Sequence, residues 1–146
     1  MSAIEVRRAE ADDVEAVAAL AQSRSYTAKW SARELEHELD RLDSVFIVVD
    51  ESGQVRGYAL ARVVERDCRL LDLAAASDGG GCGRALMSAL TLAAIARRCV
   101  KVTFEVSAGN VRALAFYAKA GAKVVGRRPK FYNDGSGAVL MDLDIP

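Results

Sequence analysis

The sequence predicts one α/β domain, residues 1–146, with a mixed central β-sheet flanked by helices in the order β-α-α-β-β-β-α-β-α-β-β. Three observations carry that reading. Short apolar runs, rich in β-branched residues and alternating with period two, are interleaved with runs of helical periodicity. Gly, Asn, Asp and Pro fall between the runs, where turns belong. Finally, the apolar stretch Leu70-Leu71-Asp72-Leu73-Ala74-Ala75 meets a glycine cluster, Gly79-Gly80-Gly81-Cys82-Gly83, directly ahead of a helix-forming run from Arg84. Strand, glycine loop and helix together aim backbone N–H groups at an anion, and the helix N-terminus adds partial positive charge.

Taking the elements in order, Ile4-Glu5-Val6-Arg7-Arg8 alternates as an opening strand. Asp12 or Asp13 caps a helix in which Val14, Val17, Ala18 and Ala21 recur at helical spacing. After a loop from Gln22 to Lys29, Trp30-Ser31-Ala32-Arg33-Glu34-Leu35 marks a sharp helix start. Ser31 is the N-cap, Glu34 completes a capping box, and Trp30 and Leu35 take the staple positions. This helix runs to about Leu42 and carries His37 as a surface residue. Val45–Val49 is a strand, Glu51-Ser52-Gly53 a turn, and Gln54–Glu65 the return strand, with Gly57 an expected bulge or irregularity. Arg66-Asp67 turns the chain into the strand Cys68–Leu73.

The helix after the glycines spans Arg84–Arg97. Val100–Val106 is the next strand, with Val102, Phe104 and Val106 on one face and Thr103 and Glu105 on the other. Asn110 caps a helix from Val111 to Ala120 that Gly121 ends. Lys123–Arg128 and Ala138–Leu143 close the chain, joined by the turn-rich segment around Pro129, Phe131 and Tyr132.

Composition narrows the function classes. The chain has 146 residues, enough to bury a core without staples, and its 20 Lys and Arg balance its 20 Asp and Glu. That balance gives no whole-molecule attraction to nucleic acid or to an anionic membrane. Cys68, Cys82 and Cys99 lack metal-type spacing, and with the single histidine His37 no Cys/His metal cluster is expected. No apolar run has membrane-spanning length and the N-terminus lacks a signal peptide's pattern, so a cytoplasmic protein with reduced thiols is expected.

The glycine loop admits several readings. A P-loop needs Lys-Ser or Lys-Thr after the glycines, and none follows. In a dinucleotide fingerprint the third glycine would come later than Gly83. A flexible glycine linker is the bland alternative. The loop resembles the Arg/Gln-x-x-Gly-x-Gly/Ala pyrophosphate loop of the GCN5-related N-acetyltransferases at Gly81-Cys82-Gly83, with Asp78 standing where that family has Arg or Gln. Glu105-Val106 through Asn110, Ala113, Tyr117 and Gly121 is similar to the Glu-Val-Arg-x-x-Asn-x-x-Ala-x-x-Leu-Tyr-x-x-x-Gly segment of the ribosomal-protein alanine N-acetyltransferases. Gly126 to Tyr132, the closing strand Ala138-Val139-Leu140-Met141 and the Trp30-Ser31 helix start extend the likeness over nearly the whole chain. Departures are Asp78, Ala75 for Pro, Ala122 for Phe and Ser107 for Arg.

The resemblance implies an acetyl-coenzyme A-dependent acyltransferase acting by direct transfer, with a protein or peptide N-terminal α-amine as acceptor. A small amine or a lysine side chain is the alternative, as is a coenzyme-binding domain without turnover. Amide formation from a thioester needs an amine that loses its proton, a polarised carbonyl and a protonated leaving thiolate. Glu105 is the expected base and Tyr117 the expected acid. The backbone of Leu71, Asp72 and Leu73 is expected to bind the acetyl and pantetheine end, Gly79, Gly80, Gly81, Cys82, Gly83 and Arg84 the pyrophosphate, and Asn110 the pantetheine arm. Cys82 is expected to be a small loop residue, not a nucleophile. Lys119, Lys123, Arg127, Arg128 and Lys130 read as a solvated basic face.

Overall fold

The computed structural model describes residues 4–77 and 80–146. The strands are β1 (Ile4–Arg8), β2 (Ser44–Glu51), β3 (Gln54–Val64), β4 (Asp67–Ala75), β5 (Lys101–Ser107), β6 (Lys123–Arg128) and β7 (Ala138–Asp144). They form a seven-stranded sheet in the order β1-β2-β3-β4-β5-β7-β6. Helices α1 (Val14–Ser23), α2 (Ala32–Leu39), α3 (Cys82–Ala96) and α4 (Val111–Lys119) flank it. Every pairing is antiparallel except β4 with β5, so the mixed α/β architecture is the one the sequence predicts. Among the described residues, no helix is long and apolar enough to cross a membrane.

Period two explains the layering. Val45, Ile47 and Val49 of β2 join Ala59, Cys68, Val102, Phe104 and α3 in one core cluster. Phe46 and Val48, the intervening residues, join Tyr58, Leu60 and the apolar sides of α1 and α2 in another. The central strands are thus buried on both faces and read as continuous apolar runs. Helix α3 turns Leu86, Met87, Leu90 and Ala94 inward, spaced as one helical face demands.

The parallel pair is short. β4 and β5 pair only through Asp67–Arg69 and Lys101–Thr103, yet β4 continues to Ala75 and β5 to Ser107. Beyond Arg69 and Thr103 the strands part, leaving one edge of β4 without a strand partner. A register shift between Leu60 and Ala61 inserts Leu71 as an extra residue in β4. This bulge, absent from the sequence reading, lies at the start of the split and bends the strand there.

Several boundaries differ from expectation for local reasons. The Asp13 side chain does not cap α1. It reaches back to the Glu10 N–H (2.8 Å) and is gripped by Arg7 (2.7 Å), completing a capping box whose N-cap is Glu10. The Ser31–Glu34 capping box forms reciprocally, at 3.0 and 3.1 Å, but α2 stops at Leu39 instead of Leu42. Helix α3 starts at Cys82, two residues early, because Gly81 at its N-cap adopts φ 80°. β4 begins at Asp67 because the turn falls on Glu65, in the left-handed region, and Arg66. The irregularity expected at Gly57 is a register shift that makes its neighbour Arg56 the extra residue.

Candidate functional site

Two cavities open on the split between β4 and β5. The smaller, about 700 Å³, is lined by Gly80, Gly81, Cys82, Gly83 and Arg84 at the start of α3, with Arg24 and Arg112 on other walls. The larger, about 1350 Å³, spreads over the sheet face that α1 and α2 leave open, with Leu71, Asp72, Glu105, Arg128 and Tyr132 on its walls. Leu73, Asn110, Ala113, Tyr117 and the segment Ser25–Thr27 line both. The two cavities therefore meet at Tyr117, between an N–H-rich helix start and a carboxylate-bearing strand.

The anion end follows from backbone conformation. With Gly81 left-handed and no atom within 4 Å of where its side chain would begin, α3 presents its uncapped first-turn N–H groups to the smaller cavity. A Cβ on Gly83 would lie 3.2 Å from the Phe116 ring, so glycine there lets α3 and α4 approach closely behind the loop. The Cys82 thiol donates to the Arg56 carbonyl at 3.4 Å, and burial pushes its pKa up. It sits as a protonated packing residue. Gly81 is the N-cap of α3 and Gly83 lies in its first turn, so among the described residues these glycines belong to the helix start and not to a linker. Asp78 and Gly79, also expected in this loop, lie outside the described residues.

At the other end, Glu105 projects from β5 opposite the buried faces of Val102, Phe104 and Val106. Its carboxylate pairs with Arg128 at 3.5 Å, and the Arg128 guanidinium also lies 5.2 Å from the Phe131 ring centre. Arg128 is thus part of the larger cavity, not of a purely solvated basic face. Sequence alone missed this because the two residues sit on strands separated by β7. Tyr117 stacks on Phe104 with centroids 4.3 Å apart, and burial, with the negative charge of Asp72, raises its phenol pKa. A phenol so placed stays protonated. Asn110 spends its Oδ1 on the Ala113 N–H at 3.2 Å, capping α4, while lining both cavities.

A buried polar cluster was not foreseen. Asp72 Oδ2 accepts from the Tyr58 hydroxyl at 2.5 Å and from the Trp30 indole N–H at 3.0 Å. Burial raises the Asp72 pKa against these hydrogen bonds. Across the split, the Tyr26 hydroxyl donates to the Gly109 carbonyl at 3.2 Å, bridging the α1–α2 and β5–α4 loops. Tyr26 itself has φ 64°, a conformation uncommon for a bulky residue.

A family model described as Acetyltransferase (GNAT) family matches residues 15–122. An uncharacterized N-acetyltransferase of Methanocaldococcus jannaschii is 32% identical over 99 residues, covering 66% of this chain and 64% of that protein. The matches span about half to two thirds of the length of the curated relatives. Among solved structures, Ard1 from Thermoplasma volcanium superposes with a TM-score of 0.89 at 26% identity, covering 99% of both chains. The ribosomal-protein-S18-alanine N-acetyltransferase from Escherichia coli has the same fold, with a TM-score of 0.87 at 24% identity over 98% of this chain and 94% of that one.

Proposed function

The chain belongs to the acetyltransferase (GNAT) family, and from that premise we propose that it transfers an acetyl group from acetyl-coenzyme A to an amine, by direct transfer in a ternary complex. The acceptor we propose is a protein or peptide N-terminal α-amine; the Escherichia coli structure that shares this fold is named for a ribosomal-protein-S18 alanine. One observation carries the reading: a cavity floored by helix N–H groups and a cavity holding Glu105 meet at Tyr117.

The residues divide the work by position. The first-turn N–H groups of α3 and the Arg84 guanidinium hold the pyrophosphate, and the unpaired edge of β4 around Leu71, Asp72 and Leu73 receives the pantetheine arm and thioester. Glu105 takes a proton from the acceptor ammonium. The free amine then attacks the thioester carbonyl carbon, and β4 N–H groups meet the charge that develops on the carbonyl oxygen. The C–S bond breaks as the C–N bond is completed, the phenol of Tyr117 supplies a proton to the sulfur, and the proton the nitrogen sheds as the amide forms restores the phenol. Arg128, already paired with Glu105, holds that carboxylate toward the cavity until an ammonium competes for it. Lysine side chains and small amines fit the same chemistry, and acceptor screening separates them.

Calorimetric titration of acetyl-coenzyme A into the wild type and an Asp78→Arg variant tests the coenzyme half. Micromolar binding by the wild type, followed by acetylation of N-terminal peptides that Glu105→Gln suppresses, is the expected result. Binding by the Arg variant alone would mean that Asp78 disables the loop and that the protein does not turn over. Binding by neither would refute the reading.

A further inference from the structure

Segment 24–30, between α1 and α2, is a compact unit. Thr27 Oγ1 lies 2.5 and 2.9 Å from the carbonyl oxygens of Ala21 and Arg24, its single proton shared between them. Lys29 Nζ reaches the Arg24 carbonyl at 2.7 Å and Thr27 Oγ1 at 3.3 Å. Its residues Ser25–Thr27 wall both cavities, so wherever this unit sits, the junction between the cavities is set.

What fastens the unit to the sheet is Asp72. On the segment's side the carboxylate accepts from Trp30 Nε1 at 3.0 Å. On the sheet side it accepts from the Tyr58 hydroxyl at 2.5 Å. It stands next to the bulged Leu71. The donors that the structure gives it are neutral, an expensive arrangement for a carboxylate only 8% exposed. A core between β3, β4 and α2 could be filled by apolar side chains without that expense. A fully satisfied polar cluster instead holds its members in one arrangement.

We propose that Asp72 is the positioning residue of the acceptor site: its carboxylate tethers segment 24–30 to β4 and so fixes the wall that acceptor and coenzyme share. The inference rests on the acetyltransferase reading for its kinetic consequence, and on geometry alone for the tether. Acceptor binding depends on this wall more than coenzyme binding does, because the coenzyme's phosphates are held by the α3 N-terminus on the far side of the smaller cavity.

Three variants separate the tether from plain core support. Asp72→Asn and Trp30→Phe weaken the segment's side of the cluster. Tyr58→Phe deletes a hydrogen bond to the same Oδ2 but on the β3 side. Amide hydrogen exchange over residues 25–30 should quicken at least tenfold in the first two and change less than twofold in Tyr58→Phe. Acceptor KM should rise about tenfold in the first two and stay put in Tyr58→Phe, with the acetyl-coenzyme A Kd of Trp30→Phe, which lies outside the proposed coenzyme contacts, within threefold of wild type. Unchanged exchange in both Asp72→Asn and Trp30→Phe overturns the proposal. So does a Tyr58→Phe variant whose KM rises as far as that of Trp30→Phe, since the carboxylate would then merely support the core. A wild type without turnover would refute the acetyltransferase reading, and the exchange measurement would still decide the tether.

Discussion

Gly57 packs beneath the start of α3, the proposed coenzyme loop, and Gly57→Ala tests whether that loop depends on it. Gly57 sits in β3 between Val49 of β2 and Ala75 of β4. A Cβ there would fall inside contact distance of Cys82 Sγ, 2.9 Å from the Ala74 carbonyl oxygen and 3.3 Å from Leu86 Cδ1. The carbonyl belongs to a paired strand and yields only if β3 and β4 separate. The sulfur yields by leaving the Arg56 carbonyl, which displaces the first residue of α3. Overpacking of this kind costs about 1–3 kcal/mol, and a contact against backbone belongs at the upper end. The melting temperature should then fall by about 8 °C, taking roughly 3 °C per kcal/mol for a chain of this size. Because Cys82 opens the helix whose N–H groups floor the coenzyme cavity, affinity for acetyl-coenzyme A should drop about tenfold, or ~1.4 kcal/mol. Thermal denaturation and calorimetric titration measure the two effects. Cys82→Ala removes the sulfur and should restore part of both losses in the double variant, leaving the carbonyl contact as the remainder. A Gly57→Ala variant that melts and binds like wild type would refute the packing argument.

Other outcomes follow from the same geometry. Glu105→Gln should lower kcat by about 10²-fold, the usual loss of a general base, with acetyl-coenzyme A affinity within twofold because Glu105 lines the other cavity; steady-state kinetics beside calorimetry shows the split. Its stability should change little, since the Arg128 pair it breaks is half exposed. Tyr117→Phe keeps the ring packing on Phe104, so unfolding in urea should shift by no more than about 1 kcal/mol, the scale of one buried hydroxyl, while turnover falls by about 10²-fold. Asp13→Asn should lower stability at neutral pH by about 1–3 kcal/mol and flatten the acid limb. Arg7 holds the Asp13 carboxyl below its ordinary value of 3.8, so its stabilisation is complete above that value and is lost as pH falls through the lower folded-state pKa. Asp72, raised by burial, acts with the opposite sign, and it cancels in the difference between wild type and variant followed by denaturation from pH 7 to 2.

Features closed within a few residues were legible from the chain. The Ser31–Glu34 capping box, the Asn110 cap and the end of α4 at Gly121, with φ 104°, each join groups at most four positions apart. The alternation of Val102, Phe104 and Val106 against Thr103 and Glu105 needed only the period of a strand. Elements that balance several neighbours were not legible. Gly81's left-handed φ let α3 start before Arg84, and α2 closed at Leu39 with Asp40 as its C-cap.

By itself the sequence determined the order of elements and the mixed α/β class, and the resemblance singled out Glu105, Tyr117, Asn110, the backbone of Leu71 to Leu73 and the glycines ahead of α3 as expected site residues. Periodicity and capping are local physics, so each element could be placed without knowing its neighbours. Only the tertiary structure decided that β4 and β5 part after Arg69 and Thr103, that Leu71 bulges at the split, and that Arg128 crosses β7 to reach Glu105. It also decided that Asp72 draws in Trp30, 42 positions away, and Tyr58, 14 away. A buried carboxylate takes whichever donors the packing brings to it, and packing is a property of the whole sheet with its helices in place. No window of sequence contains it.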